Sequence, residues 1–266
     1  MVYALITGAS HGIGAELAKL FAVDGIGLLL CSSPRSRTEL NTLADALRLK
    51  YGVAVHALTE DLAQPGAAAR LADQIDALAL PVEYLVNNAG AGIVGQTFQD
   101  HEPVQLAAML QLNMVTLSEL TLRFVPAMIR RGRGKILNLS SSAGYVLPHG
   151  REAAYAASKA FVISLSEALS FDLRGTGVSC THVAPGPTRT NFYQAAGLVD
   201  ERRMARLGYS EPDQIAEVCY RAMQTRRVAV MPGLSNKLVT WLARLSFSRT
   251  LTGKISAWVV SRELGR

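Results

Sequence analysis

No run of about 18 or more apolar residues occurs in this 266-residue chain, which argues against a helix that crosses a membrane. Charge is sparse as well. Asp, Glu, Lys and Arg make up 18% of residues against 49% hydrophobic, which excludes extended disorder and suits one well-packed domain rather than two large ones. There are only three cysteines, Cys31, Cys180 and Cys219, far apart and with no CxxC pair. A disulfide framework or a zinc ribbon is thereby excluded, and buried thiols in a reducing cytoplasm are expected. A basic n-region and a cleavage site are lacking at the start, where Val2-Tyr3-Ala4-Leu5-Ile6 runs straight towards glycines, so no secretory signal is read there. His56, His101, His149 and His182 lack metal-ligand spacing, and His101-Glu102-Pro103 cannot open an HExxH helix. No metal is expected.

What charge there is lies unevenly. The net charge is +6, yet residues 231–266 alone hold six basic side chains and one acidic one. A uniformly basic face for nucleic acid is therefore not expected. That final segment mixes Trp241, Trp258, Leu and Val with its cations. Two readings stand: an amphipathic helical extension touching an anionic membrane or a long-chain substrate, or one packed on the domain or a partner subunit with its charges solvated.

Short apolar runs alternate with helical patterns. Strands are predicted at Val2–Thr7, Ile26–Cys31, Val53–Leu58, Tyr84–Asn87, Lys135–Leu139 and Val178–Val183. Helices are predicted at Glu16–Val23, Thr38–Lys50 (apolar at Leu40, Leu43 and Leu47), Ala67–Leu78, Val104–Met128 and Tyr155–Arg174. Alternation with fully apolar strands gives an α/β fold, a doubly wound parallel sheet of Rossmann type with a C-terminal helical extension. Residues 1–230 are read as the dinucleotide-binding and catalytic domain and 231–266 as the extension. Ligands of such sheets sit beyond the carboxyl ends of the strands, so the chemistry is sought there.

The first strand runs into Thr7-Gly8-Ala9-Ser10-His11-Gly12-Ile13-Gly14. Glycines let the chain turn and let backbone approach a pyrophosphate, and the following helix offers free N–H groups and a positive dipole end. The spacing is Gly-x-x-x-Gly-x-Gly. In order along the chain come Asn87-Asn88-Ala89-Gly90, Asn113, Ser140-Ser141-Ser142, Tyr155-Ala156-Ala157-Ser158-Lys159 and Pro185-Gly186-Pro187-Thr188-Arg189-Thr190. This set resembles the short-chain dehydrogenase/reductase family over roughly residues 2–230.

Tyrosine titrates near about 10, so it is a poor base unless its phenolate is stabilised. Lys159 lies one helical turn from Tyr155 on the same face, and its ammonium is expected to lower that pKa. Tyr155 then gives a proton to a carbonyl oxygen, or takes one from an alcohol, while a serine hydroxyl hydrogen-bonds the same oxygen. The resemblance implies more. It makes Asn113, Ser141, Tyr155 and Lys159 the catalytic set, with Lys159 also on the nicotinamide ribose and Asn113 anchoring a water chain. Strand phase favours Ser141, whereas the commoner serine–tyrosine spacing selects Ser142, and both stay open. The cofactor set is Gly8, Ser10, His11, Gly12, Ile13 and Gly14 in the loop, with Ser33 and Arg35 after the second strand and Asp61 and Leu62 after the third. Asn87, Asn88, Ala89 and Gly90 follow the fourth, and Tyr155, Lys159, Pro185, Gly186, Thr188 and Thr190 complete it.

NAD-specific relatives carry an acid after the second strand. Here stands Cys31-Ser32-Ser33-Pro34-Arg35-Ser36-Arg37, with hydroxyls and guanidiniums that suit a 2′-phosphate. NADP(H) is therefore preferred, with NAD(H) still admissible. Residues 187–209 hold Phe192, Tyr193, Leu198, Met204 and Leu207. They read either as an apolar substrate lid or as an ordinary helical pair. The expected activity is reduction of a ketone or aldehyde, or oxidation of the alcohol, on a small hydrophobic acyl or alicyclic molecule, by a homodimer or homotetramer. A dinucleotide sensor without turnover, or an epimerase or dehydratase on the same scaffold, are the rivals.

Overall fold

The computed structural model describes residues 2–145, 151–192, 196 and 209–233. Short, predominantly apolar runs become the strands of the sheet. These are Tyr3–Thr7 (β1), Gly27–Ser32 (β2), Val55–Thr59 (β3), Val82–Asn87 (β4), Gly134–Leu139 (β5), Val178–Val183 (β6) and Ala229–Val230 (β7). They form one parallel sheet in the order β3-β2-β1-β4-β5-β6-β7. The long helices are Gly12–Val23 (α1), Arg37–Tyr51 (α2), Ala67–Ala77 (α3), Pro103–Leu110 (α4), Leu117–Arg130 (α5), Ala153–Asp172 (α6) and Pro212–Gln224 (α7).

Alternate side chains of each strand feed two separate cores. Ala4, Ile6, Leu28 and Leu30 pack on Leu17 and Phe21 of α1, Leu40 and Leu47 of α2, and Ile215, Cys219 and Met223 of α7. On the other face Leu5, Leu29, Leu85 and Ile136 meet Leu71 and Ile75 of α3 and Leu120, Phe124 and Met128 of α5. Large side chains buried on both faces, each stabilising by about 1.5–3 kcal/mol, leave β1 and β2 no wet surface and no reason to alternate polar residues. The three cysteines lie inside as free thiols, and burial pushes Cys31 and Cys180 up to about 12.

The predicted doubly wound parallel sheet is the observed one, with differences in detail. Helix α1 begins at Gly12, a turn before the predicted Glu16. A seventh strand and helix α7 extend the sheet beyond the six predicted strands. The predicted long helix Val104–Met128 is interrupted. Between α4 and α5 residues Gln111–Thr116 make a π turn, which widens the helix locally and holds Asn113 only 1% exposed. The proposed extension beyond Gly233, His149 and the lid residues Tyr193, Leu198, Met204 and Leu207 lie outside the described residues. Among those described, no helix is long and apolar enough to cross a membrane.

Strand order reverses at β1, whose neighbours are β2 and β4. Connections leaving in opposite directions open a crevice at the carboxyl ends of these strands.

Candidate active site

A cleft of about 420 Å³ occupies that crevice, within the range of small-molecule sites. Its floor is knitted from the ends of β1 and β4. Thr7 Oγ1 donates to the Val86 carbonyl at 3.2 Å and accepts from the N–H groups of Asn88 and Ala89, each at 3.1 Å. Asn88 Nδ2 donates back to the carbonyls of Thr7 (2.9 Å) and Gly8 (3.1 Å). Gly14 lies against this lattice: a Cβ there would meet Asn88 Nδ2 at 2.6 Å and clash with the Gly8 carbonyl. The glycine thus permits α1 to start directly on the β1 turn. His11, at the N-cap, makes no side-chain cap, so the first N–H groups of α1 are left for a ligand. Gly8, Ser10, His11, Gly12 and Ile13 line the cleft, whereas Gly14 lies beneath it.

At the ends of β2 and β3 the wall is Ser32, Ser33, Ser36, Glu60, Asp61, Leu62 and Ala63. Ser33 and the predicted Asp61 and Leu62 are in place. Arg35 is not on the wall; it is exposed in a 3₁₀ turn, where its N–H donates to Ser33 Oγ at 3.3 Å. Arg37, opening α2, donates to Thr59 Oγ1 at 3.0 Å. Glu60 is an acid that sequence reading missed. It follows the third strand rather than the second, and only the register pairing Ser32 with Thr59 brings it here.

The ends of β4, β5 and α6 carry the reactive groups. Asn88, Ala89, Gly90, Ser141, Tyr155 and Lys159 line the cleft. Ser141 ends in an extended conformation (φ −157°), accepts the Ala143 N–H at 3.2 Å and shares a hydrogen bond with Tyr155. Ser142 instead opens a 3₁₀ turn, is not on the wall, and donates its N–H to the Pro185 carbonyl at 2.9 Å. Of the two serines left open by the sequence, the structure brings Ser141 to the tyrosine. Lys159 Nζ donates to the Leu139 carbonyl at 3.0 Å and stands 5.8 Å from the centre of the Tyr155 ring.

The expected lowering of the Tyr155 pKa is not what these surroundings produce. Burial pushes the phenol above its usual range, the Ser141 hydrogen bond offsets this in part, and Glu152 adds to it. Burial also lowers Lys159, from 10.5 to about 8. Desolvation is the largest of these effects, and it holds the tyrosine in its protonated, proton-donating form.

Asn113 and Asn87 lie behind the wall rather than on it. Asn113 accepts the Ala91 N–H at 3.0 Å and donates to the Ala91 carbonyl (2.8 Å) and Ser158 Oγ (3.0 Å). It thereby ties the π turn to the loop after β4 and to α6. Asn87 Nδ2 donates to Asn138 Oδ1 at 2.8 Å and Thr121 Oγ1 at 3.1 Å, joining β4, β5 and α5.

Pro185, Gly186, Thr188 and Thr190 close the cleft from the end of β6, joined by Asn191 and Phe192. The Phe192 ring stands 5.5 Å from that of Tyr155 and packs on Gly92, where a Cβ would meet it at 2.5 Å. Ile93, Met109 and Ala154, with Leu106 and Leu110, complete an apolar wall around Tyr155.

Comparison with known proteins gives this arrangement a family. The short chain dehydrogenase model matches residues 2–198. Ketoacyl reductase HetN of a Nostoc species is 29% identical over 261 residues, covering 97% of this chain and 86% of its own. Sulfoacetaldehyde reductase 2 of Chromohalobacter salexigens is 37% identical, over 71% of this chain and 73% of its own. A short-chain dehydrogenase from Sphingobium yanoikuyae, solved in complex with NADPH, superposes with a TM-score of 0.82 at 31% identity, covering 92% of each chain. This chain belongs to the short-chain dehydrogenase/reductase family of NAD(P)-dependent oxidoreductases.

Proposed function

We propose that the protein reduces a ketone or aldehyde, or oxidises the corresponding alcohol, with NADP(H) preferred over NAD(H) and a hydrophobic acyl or alicyclic compound as substrate. The observation that carries this is the convergence of Ser141, Tyr155 and Lys159 on a cleft floored by uncapped helix N–H groups. The residues fit a dinucleotide: glycine leaves room where a Cβ would collide, and the α1 terminus favours a pyrophosphate. When bound, the nicotinamide supplies or accepts the hydride.

The chain's own residues handle the proton. Tyr155 Oη, a phenol whose protonated form burial favours further, donates to the carbonyl oxygen as negative charge grows there, and Ser141 Oγ hydrogen-bonds the same oxygen. Lys159 would hold the ribose of a bound dinucleotide and could reprotonate the tyrosine, and Asn113 fixes the loop and helix between which that exchange would run. NADP(H) is favoured by Ser33 and Ser36 on the adenosine wall and by the cations Arg35 and Arg37 nearby. Phe192, on the cleft wall beside the Tyr155 ring, favours an apolar substrate.

On this reading residues 1–230 are the cofactor-binding and catalytic unit, with 231–266 a basic extension. Its buried free thiols suit the cytoplasm. Exposed apolar side chains on α5 and α6 support a homodimer or homotetramer.

The test is oxidation of NADPH, followed by its absorbance, against a panel of ketones, aldehydes and ketoacyl thioesters. Turnover is expected with the wild type, slower with NADH, and falling at least 100-fold in Tyr155→Phe. Activity retained in that variant overturns the mechanism. A substrate converted with no net change in nicotinamide absorbance points to an epimerase or dehydratase.

A further inference from the structure

Glu60 and Arg70 form a charged pair at the cleft that the chemistry above does not use. The Glu60 N–H donates to the Ser32 carbonyl at 3.0 Å, which seats Glu60 beside the end of β2, next to Ser33. Glu60 lines the cleft, and its side chain is 12% exposed. Arg70, in the first turn of α3, grips one carboxylate oxygen with Nε (3.1 Å) and Nη2 (2.9 Å). The same guanidinium donates through Nη1 to the Pro65 carbonyl at 3.0 Å. Three bonds therefore hold the arginine in one pose. The other acid here, Asp61, accepts from the Ala63 N–H at 3.2 Å and from Gln64 at 3.3 Å.

A carboxylate at the end of β3, one strand spacing from Ser33, stands close enough to the Ser33 end of the cleft to act on a 2′-phosphate or a 2′-hydroxyl bound there. Left uncompensated, it repels the phosphate dianion and is indifferent or welcoming to a hydroxyl. Paired with a fixed guanidinium, it presents little net charge. We infer that Arg70 is a specificity-determining residue that acts through Glu60, pinning and neutralising its carboxylate so that the adenosine wall accepts a 2′-phosphate. The inference rests on the dinucleotide reading of the cleft.

The test needs no substrate. NADPH and NADH are titrated into the wild type, Arg70→Gln, Glu60→Gln and the double variant, and binding is followed by nicotinamide fluorescence. Arg70→Gln is expected to weaken NADPH about tenfold relative to NADH, with NADH held within about twofold, which also reports a folded cleft. Removing the acid as well restores the ratio to within about twofold of the wild type. An unchanged ratio in Arg70→Gln overturns the inference. So does a double variant as poor as the single one, since the arginine would then be acting on the phosphate directly. If the wild type binds neither dinucleotide, the reading of the cleft itself falls. If it binds both normally and only the ratio refuses to move, the inference alone falls.

Discussion

Lys159 brings an ammonium into a position 5% exposed, with the Leu139 carbonyl as its hydrogen-bond acceptor. Its pKa falls there from 10.5 to about 8, so the folded chain releases this proton before the unfolded chain does. Below about pH 8 both states are protonated and the folded state bears the full cost, on the order of 3 kcal/mol. Between about 8 and 10.5 the unfolded state holds more protons, and stability must rise with pH. Comparing urea unfolding of the wild type and Lys159→Met without cofactor isolates this group. The wild type should gain about 2 kcal/mol on the variant between about pH 7 and about pH 9.5. Parallel curves would show that the lysine is not desolvated. The motif Tyr155-x-x-x-Lys159 was legible in the sequence because one helical turn places both side chains on one face. The balance between burial and charge was not, because desolvation depends on the walls that Phe192, Ile93 and Met109 build from other elements.

At the scale of elements, the strands were readable wherever burial on both faces left a nearly unbroken apolar run, as at Gly27–Cys31 in β2. The start of α1 was missed by one turn because Gly12 and Gly14 look like loop, although their close seat on the β1 turn is what lets the helix begin there. Strand β7 has only two residues, too few for a pattern, and α7 opens on Pro212, which read alone looks like a turn. The π turn left no trace, since Gln-Leu-Asn-Met-Val-Thr has the composition of an ordinary helix. Its effect is visible only in Asn113, whose amide satisfies both the N–H and the carbonyl of Ala91 as well as Ser158. Asn113→Ala leaves those buried groups unpaired and is expected to cost about 2–4 kcal/mol in denaturant unfolding. Ser158→Ala removes one of those partners and should cost about 1 kcal/mol. Equal small losses in both would mean that water replaces the amide and that the π turn is not held by Asn113.

For the whole molecule, the sheet is covered on both faces by its own helices, yet an apolar stripe remains exposed along the π turn and α5. Val115, Leu122 and Ile129 recur at seven-residue intervals along the π turn and α5, and are 44%, 75% and 40% exposed. On α6, Phe161 and Phe171 are 36% and 58% exposed. Both helices cover the same face of the sheet, where Leu120, Phe124 and Leu169 point inward. A helix with apolar residues on its outer as well as its inner face is one that is covered twice. A second copy meeting this surface about a twofold axis would bury the stripe against itself, as an isologous interface requires. The π turn that leads into α5 carries Asn113 and the start of α6 carries Tyr155, so association would also stiffen the site. Leu122→Glu places a charge at the most exposed position of the stripe and touches nothing in the cleft. Light scattering should show the wild type as a dimer or tetramer and this variant as a smaller species at micromolar concentration. Circular dichroism and dinucleotide binding should stay unchanged. A wild type already monomeric, or a variant with unaltered mass, would mean that chains do not meet across α5.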